Sequence, residues 1–279
     1  MQRFDTIAGL REYLQSIRYE QTIGFVPTMG ALHEGHIALV EKAKQETGLV
    51  VSSIFVNPVQ FTNADDLARY PRTLEDDCQK LEAAGCDVVF APLVNEMYPD
   101  PPVIRLNFGE LETVMEGAFR PGHFNGVGIV VSKIFNIVQP DRAYFGQKDL
   151  QQVAVIRRLI RDLSFPVELI RCPTVREADG LAMSSRNRNL TPAERQQAPL
   201  LFQALTQAER LLTQGHGVSQ AKAAVTDAIN GNPLFRLEYV EIVNVDTLQL
   251  VSEVGTPKQT AICLAAHLGN VRLIDNLVF

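Results

Sequence analysis

Ile23-Gly24-Phe25-Val26-Pro27-Thr28-Met29-Gly30-Ala31-Leu32-His33-Glu34-Gly35-His36 opens the stretch that decides the fold, which carries on to Val56. Ile23 to Val26 is short and apolar and stops at Pro27, as a buried strand does. Gly35 to Glu46 places Ile37, Val40 and Ala43 on one helical face, and Gly48 ends that helix. Leu49 to Val56 is a β-branched run broken by Asn57-Pro58 and reads as a second buried strand. A strand, a helix and a strand in this order predict a right-handed crossover between parallel neighbours.

The alternation continues toward the C-terminus. Thr73 to Ala84 reads as a helix with Leu74, Cys78 and Leu81 on one side, and Asp87 to Ala91 as a third strand. Val127 to Val138 reads as an apolar helix ended by Pro140, and Ala143 to Phe145 as a strand. Asp149 to Leu163 is a strongly periodic helix, and Val167 to Cys172 a further strand. The class is therefore α/β, a doubly wound, Rossmann-like parallel sheet.

After Pro173 the texture changes. Val175 to Asn189 is polar and contains Gly180, as a linker or hinge would. Pro192 to Leu212 reads as one long helix capped by Thr191, and Ser219 to Ile229 as another. Leu237 to Val243, Thr260 to Ala266 and Val271 to Val278 read as strands. Two domains are expected, a Rossmann-like domain over residues 1–175 and a smaller C-terminal α+β domain over 176–279.

The 279 residues are 46% hydrophobic and 21% charged, values that exclude disordered and collagen-like chains. Twenty-six Lys and Arg against 32 Asp and Glu leave a net charge of -6, which argues against a nucleic-acid surface. No apolar run reaches the roughly 18 residues that span a bilayer, and Met1 to Ile7 lacks a signal-peptide core. Cys78, Cys86, Cys172 and Cys263 are scattered without a CxxC pair, so neither a disulfide framework nor a zinc site is expected. The expected setting is a reducing cytoplasm, with no membrane and no nucleic acid as partner.

Chemistry concentrates at the first strand-to-helix turn. Gly30 permits a tight turn, Gly35 lets a phosphate chain approach the backbone, and a helix N-terminus attracts anions. His33 and His36 project on one side of the helix start, where protonated imidazoles would stabilise charge building up in nucleotidyl transfer. Their spacing does not fit the helical zinc motif, and no P-loop or three-glycine dinucleotide fingerprint is present. His33-Glu34-Gly35-His36 matches the HxGH signature of the nucleotidylyltransferase and class I aminoacyl-tRNA synthetase superfamily. Met183-Ser184-Ser185-Arg186 resembles that superfamily's second signature, and its hydroxyls and guanidinium suit a triphosphate.

Further blocks narrow the match: Pro27 to His36, Phe55 to Phe61, Tyr70-Pro71-Arg72-Thr73, Arg120 to Val127, Gly146 to Gln152, and Asp179 to Asn187. In these blocks, and in their order, the chain resembles the pantoate–β-alanine ligase family over essentially its whole length. The resemblance implies ATP-dependent condensation of (R)-pantoate with β-alanine to pantothenate, AMP and pyrophosphate through a pantoyl adenylate. It implies catalytic roles for His36 and His33. ATP would be held by Met29, Gly30, Ala31, Leu32, His33, Glu34, Gly35 and His36, by Gly146, Gln147, Lys148 and Asp149, and by Val175, Met183, Ser184, Ser185 and Arg186.

Gln60 and Gln152 would bind pantoate, Gln60 also lying near β-alanine, with Asn57 and Arg120 as further candidates. Adjacent Asp76 and Asp77 diverge by about 100° on a helix, and Asp77 is expected to support the Mg²⁺ that accompanies ATP. An acidic first turn favourable to the helix dipole is the alternative for that pair. The small domain would act as a lid, and the family implies a homodimer. Another HxGH nucleotidyltransferase and a non-catalytic nucleotide-binding sensor are the competing readings.

Overall fold

In a computed structural model of the chain, residues 1–255 and 258–279 are described. The chain divides into two compact units, Met1–Gly146 with Val155–Cys172 and Gln147–Ala154 with Pro173–Phe279.

The first unit is built on six strands: β1 (Gln2–Phe4), β2 (Ile23–Thr28), β3 (Leu49–Ile54), β4 (Val88–Phe90), β5 (Arg142–Gly146) and β6 (Glu168–Cys172). They lie in the order β1-β4-β3-β2-β5-β6, and every pairing is parallel. β2, β3 and β4 are buried almost throughout, which explains their mostly apolar sequences; the hydroxyls of Thr28 and Ser52 donate to the Ser53 and Val26 carbonyls of the neighbouring strand. Helix Glu34–Glu46 buries Leu39, Val40 and Ala43 in a cluster with Val26, Val50, Leu81 and Tyr144. From β2 the chain winds outward through β3 to β4, then returns to pair β5 with β2. That reversal opens a crevice beyond the carboxyl ends of β2 and β5.

Two N-terminal elements add to those expected from the sequence, and only the first lacks an apolar period: Ile7, Leu10, Leu14 and Ile17 recur at helical spacing in the second. β1 is three residues long and largely exposed, so no apolar alternation marks it. Helix Ile7–Ile17 starts where the Thr6 side chain accepts from the Gly9 N–H, and it buries only Leu10 and Leu14.

The second unit carries an antiparallel sheet of β7 (Phe235–Asn244), β8 (Thr260–Leu268) and β9 (Val271–Val278). Helices Leu200–Thr213 and Val218–Asn230 turn Leu201, Leu205, Leu212, Val225 and Ile229 into a core with Ile262, Leu264 and Ala266. The single long helix expected from Pro192 is instead two, Pro192–Gln197 and Leu200–Thr213. Pro199 divides them, because it has no N–H to donate and its ring clashes with the preceding turn. The polar stretch expected as a linker or hinge holds an antiparallel bridge between Arg176 and Ala182 and a 3₁₀ turn over Ser185–Asn189.

Helix His123–Val138 crosses the 3₁₀ turn Pro58–Gln60 without a side chain between them. A Cβ at Gly126 would lie 2.4 Å from the Val59 carbonyl oxygen and 2.5 Å from Gln60 Cα. Both neighbours are backbone and cannot rotate aside. Gly126→Ala is therefore expected to destabilise the fold by about 1–3 kcal/mol, read as a lower urea midpoint. A midpoint equal to the parent's would show that this contact is not tight.

Candidate active site

β2 ends at Thr28, whose hydroxyl donates to the Ser53 carbonyl at 2.7 Å and accepts from the Gly30 N–H at 3.3 Å. Gly30 and Ala31 then both take left-handed conformations, with φ of 81° and 52°. Such geometry costs a non-glycine residue about 1–2 kcal/mol, so Ala31 needs a compensating contact. Asp77 supplies it: its carboxylate accepts from the Ala31 N–H at 2.8 Å and the Leu32 N–H at 2.7 Å. The Thr73 hydroxyl donates to the same carboxylate at 3.0 Å. Hydrogen bonds to a charged group are worth about 1.5–3 kcal/mol each, enough to outweigh the strain.

This geometry corrects the expectation that Asp77 supports Mg²⁺. Asp77 is fully buried, and three of its roughly four acceptor positions already hold donors. Asp76 points elsewhere, its carboxylate 2.7 Å from Lys80 Nζ, which also donates to the Leu32 carbonyl. The acidic pair braces the turn and does not fit a magnesium site.

The turn delivers His33 as N-cap of helix Glu34–Glu46. His33 Nδ1 accepts from the Gly35 N–H at 3.1 Å, and His36 Nδ1 accepts from the His33 N–H at 3.4 Å. The half-buried rings lie against each other with centroids 4.1 Å apart. An Nδ1 that accepts carries no proton, so the neutral ring keeps its hydrogen on Nε2. Imidazolium rings, as expected from the sequence, would lose both cap bonds. With Nδ1 accepting, the hydrogen of a neutral ring lies on Nε2, at a helix N-terminus.

Gln60 is held from several sides. Asn57 caps its turn and donates to Gln60 Oε1 at 3.1 Å and to the Gly126 carbonyl at 3.2 Å. The Tyr98 hydroxyl donates to Asn57 Oδ1 at 3.0 Å, and burial pushes its phenol pKa up so that it stays a donor. Gln60 Nε2 in turn donates to Met29 Sδ at 3.0 Å, joining the post-β3 turn to the post-β2 turn. The main-chain oxygen of Gln60 lies 2.8 Å from His123 Nδ1, and His123 Nε2 lies 3.2 Å from Arg120. A carbonyl only accepts and a guanidinium only donates, so His123 is neutral with its proton on Nδ1. Arg120, a candidate for the pantoate pocket, reaches Gln60 through this histidine.

In the second unit, Lys148, Ser184, Arg186, Asn187, Arg272 and Asp275 line one pocket. It brings together residues from three stretches of sequence, around Lys148, Ser184–Asn187 and Arg272–Asp275. The Met183 N–H donates to the Val175 carbonyl at 3.0 Å, which sets Val175 beside the second signature. Ser184 accepts from the Arg186 N–H and caps the 3₁₀ turn. Asp149 is exposed, and Gln152 is half-buried in the first turn of helix Leu150–Asp162; neither lines this pocket.

Arg176 and Asp275 were not singled out by the sequence. Arg176 donates to both Asp275 oxygens, at 2.7 and 3.0 Å, across 99 positions. Burial pushes the Asp275 carboxyl pKa up, while the guanidinium draws it down. The available signal was a pair of polar residues, Asp275-Asn276, inside an otherwise apolar strand.

The model of the pantoate-beta-alanine ligase family matches residues 2–278. The chain belongs to this family. It is 49% identical to the pantothenate synthetase of Bacteroides thetaiotaomicron over 280 residues, covering 100% of this chain and 99% of that one. It is also 49% identical to that of Moorella thermoacetica, covering 100% and 98%. Among solved structures, pantothenate synthetase from Thermus thermophilus superposes with a TM-score of 0.94 at 48% identity, over 100% and 99% of the two chains. A pantoate-beta-alanine ligase from Francisella tularensis, complexed with beta-gamma ATP and beta-alanine, gives 0.78 at 36% identity, over 100% and 97%.

The brace role of Asp77 is open to test. Asp77→Asn turns an NH₂ toward a main-chain N–H, and a loss of about 1–3 kcal/mol in stability is expected. The Mg²⁺ concentration for half-maximal turnover should not change. A several-fold rise in that concentration at unaltered stability would restore the metal role.

Proposed function

We propose that the chain is a pantoate–β-alanine ligase, condensing (R)-pantoate with β-alanine at the expense of ATP. The observation that carries the site assignment is the histidine capping box, which turns both Nδ1 atoms into the helix and makes each Nε2–H the ring's donor. In the first step a pantoate carboxylate oxygen attacks the α-phosphorus of ATP. A bond forms from that oxygen to phosphorus, and the bond from phosphorus to the bridging β-phosphate oxygen breaks, releasing pyrophosphate. In the second step the β-alanine amine attacks the acyl carbonyl carbon. The carbon–oxygen bond to phosphate breaks, the nitrogen loses a proton, and pantothenate and AMP result.

No protein nucleophile is required, so the residues position groups and stabilise charge. His36 and His33 donate from Nε2 to the reacting phosphate. Met29 to Leu32 supply main chain to the nucleotide. Gly146 to Asp149, Val175 and Met183 to Arg186 complete the ATP contacts, with Lys148, Ser184 and Arg186 as the phosphate-binding groups. Gln60 and Gln152 meet pantoate through amides that donate to its carboxylate and accept from its hydroxyls. The anchoring of Gln60 by Asn57 and Met29 supports its assignment.

Mg²⁺ enters this reading with ATP, as charge compensation for the phosphates, and Asp77 takes no part in holding it. A homodimer and a cytoplasmic setting belong to the same reading and rest on the family resemblance. No helix among the described residues is long and apolar enough to cross a membrane.

Purified protein supplied with ATP, Mg²⁺ and pantoate is expected to release pyrophosphate only when pantoate is present, and to form pantothenate only on addition of β-alanine. Turnover of a different acid in place of pantoate would defeat the substrate assignment. His36→Ala is expected to slow single-turnover adenylate formation at least about tenfold, the scale of losing one preorganised donor. An unchanged rate would remove His36 from the chemistry. Gln152→Ala should weaken pantoate binding by calorimetry and leave ATP affinity largely intact; equal pantoate affinity would sink that role.

A further inference from the structure

β9 breaks its apolar pattern at Asp275 and Asn276, both buried, and neither residue belongs to the motifs that carry the family resemblance. Asn276 Nδ2 donates to the Gln147 carbonyl at 2.9 Å and to the Lys148 carbonyl at 2.8 Å. Only an NH₂ can meet two carbonyls, so the amide has one orientation and both of its donors are engaged. Arg176 donates to Asp275, to the Gly180 carbonyl at 3.1 Å and to the Asn276 carbonyl at 3.1 Å, with its guanidinium 3.8 Å over the Phe202 ring. One buried assembly thus grips the turn that carries Lys148 and the hairpin that leads into Ser184 and Arg186.

A lysine ammonium sits on a flexible four-carbon stem, so its main-chain anchor decides where it can reach. The two carbonyls that Asn276 holds belong to that anchor. We propose that Asn276, supported by Asp275 and Arg176, is a positioning residue that sets Lys148 against Ser184 and Arg186 for the phosphates of ATP. The proposal rests on reading their shared pocket as the phosphate site. Asn276 acts through the Lys148 main chain and does not itself touch the nucleotide.

Asn276→Asp keeps the shape and removes both donors; Asn276→Ala removes the group. Each is expected to raise KM for ATP about tenfold, with KM for pantoate within about twofold, since displacement of a binding group by about 1 Å has effects of this order or larger. In a Lys148→Ala background, Asn276→Asp should add no more than about twofold, because the group it positions is gone. A full tenfold loss repeated in that background overturns the proposal and leaves the phosphate site standing. So does a parallel rise in both KM values, or failure of either Asn276 variant to fold as judged by circular dichroism. If Lys148→Ala alone leaves ATP binding and turnover unchanged, the phosphate-site reading falls, and this proposal with it.

Discussion

The carboxylate of Asp77 has no exposure, and its two oxygens hold the consecutive N–H groups of Ala31 and Leu32. The shape of the turn after β2 follows from that constraint. Both residues can present their amides to one carboxylate only if the chain reverses sharply, and the left-handed Gly30 and Ala31 make that reversal. A Cβ at Gly30 would approach Asp77 Oδ2 to 3.0 Å, so glycine is favoured there by its left-handed conformation and leaves the carboxylate undisturbed. Asp77 lies in the first turn of helix Leu74–Ala83, where the helix dipole favours a negative charge. An acidic helix start, usually a modest local stabiliser, here fixes the backbone of a distant loop.

The position of His33 and His36 is the next consequence. Two imidazoles serve as a capping box, a task commonly given to a hydroxyl and a carboxylate. Capping sets where the rings sit and turns each Nδ1 toward a main-chain N–H. A neutral Nε2–H at a helix N-terminus can donate to an anionic oxygen without repelling its neighbour, which a pair of imidazolium rings 4.1 Å apart could not avoid.

The chain handles its cations differently. Lys148 and Arg186 gather at one pocket of the second unit, next to a buried Asp275 whose charge is matched by Arg176. Breaking one side of such a pair leaves an uncompensated buried charge, so the pair fixes geometry more firmly than it adds stability. A chain of net charge -6 can therefore serve anionic substrates, because local placement decides the field that a phosphate meets.

Much of the fold, and the family to which the chain belongs, were legible in the sequence. Periods of apolar residues, with Gly48, Pro140 and Pro173 as breaks, marked the buried strands and helices, because burial on both faces leaves a mostly apolar record. The HxGH turn was legible because its glycines and histidines lie within a few residues of one another. Short exposed β1 left no such record, and Pro199 divided a helix whose apolar period ran on across it. The tautomers of His33, His36 and His123, the brace role of Asp77 and the reach of Asn276 were decided only in three dimensions. Each depends on a particular donor or acceptor coming within about 3 Å, and several of those partners lie 45 to 128 positions away along the chain. Side-chain chemistry names what a residue can bond to; the tertiary fold selects which partner it meets.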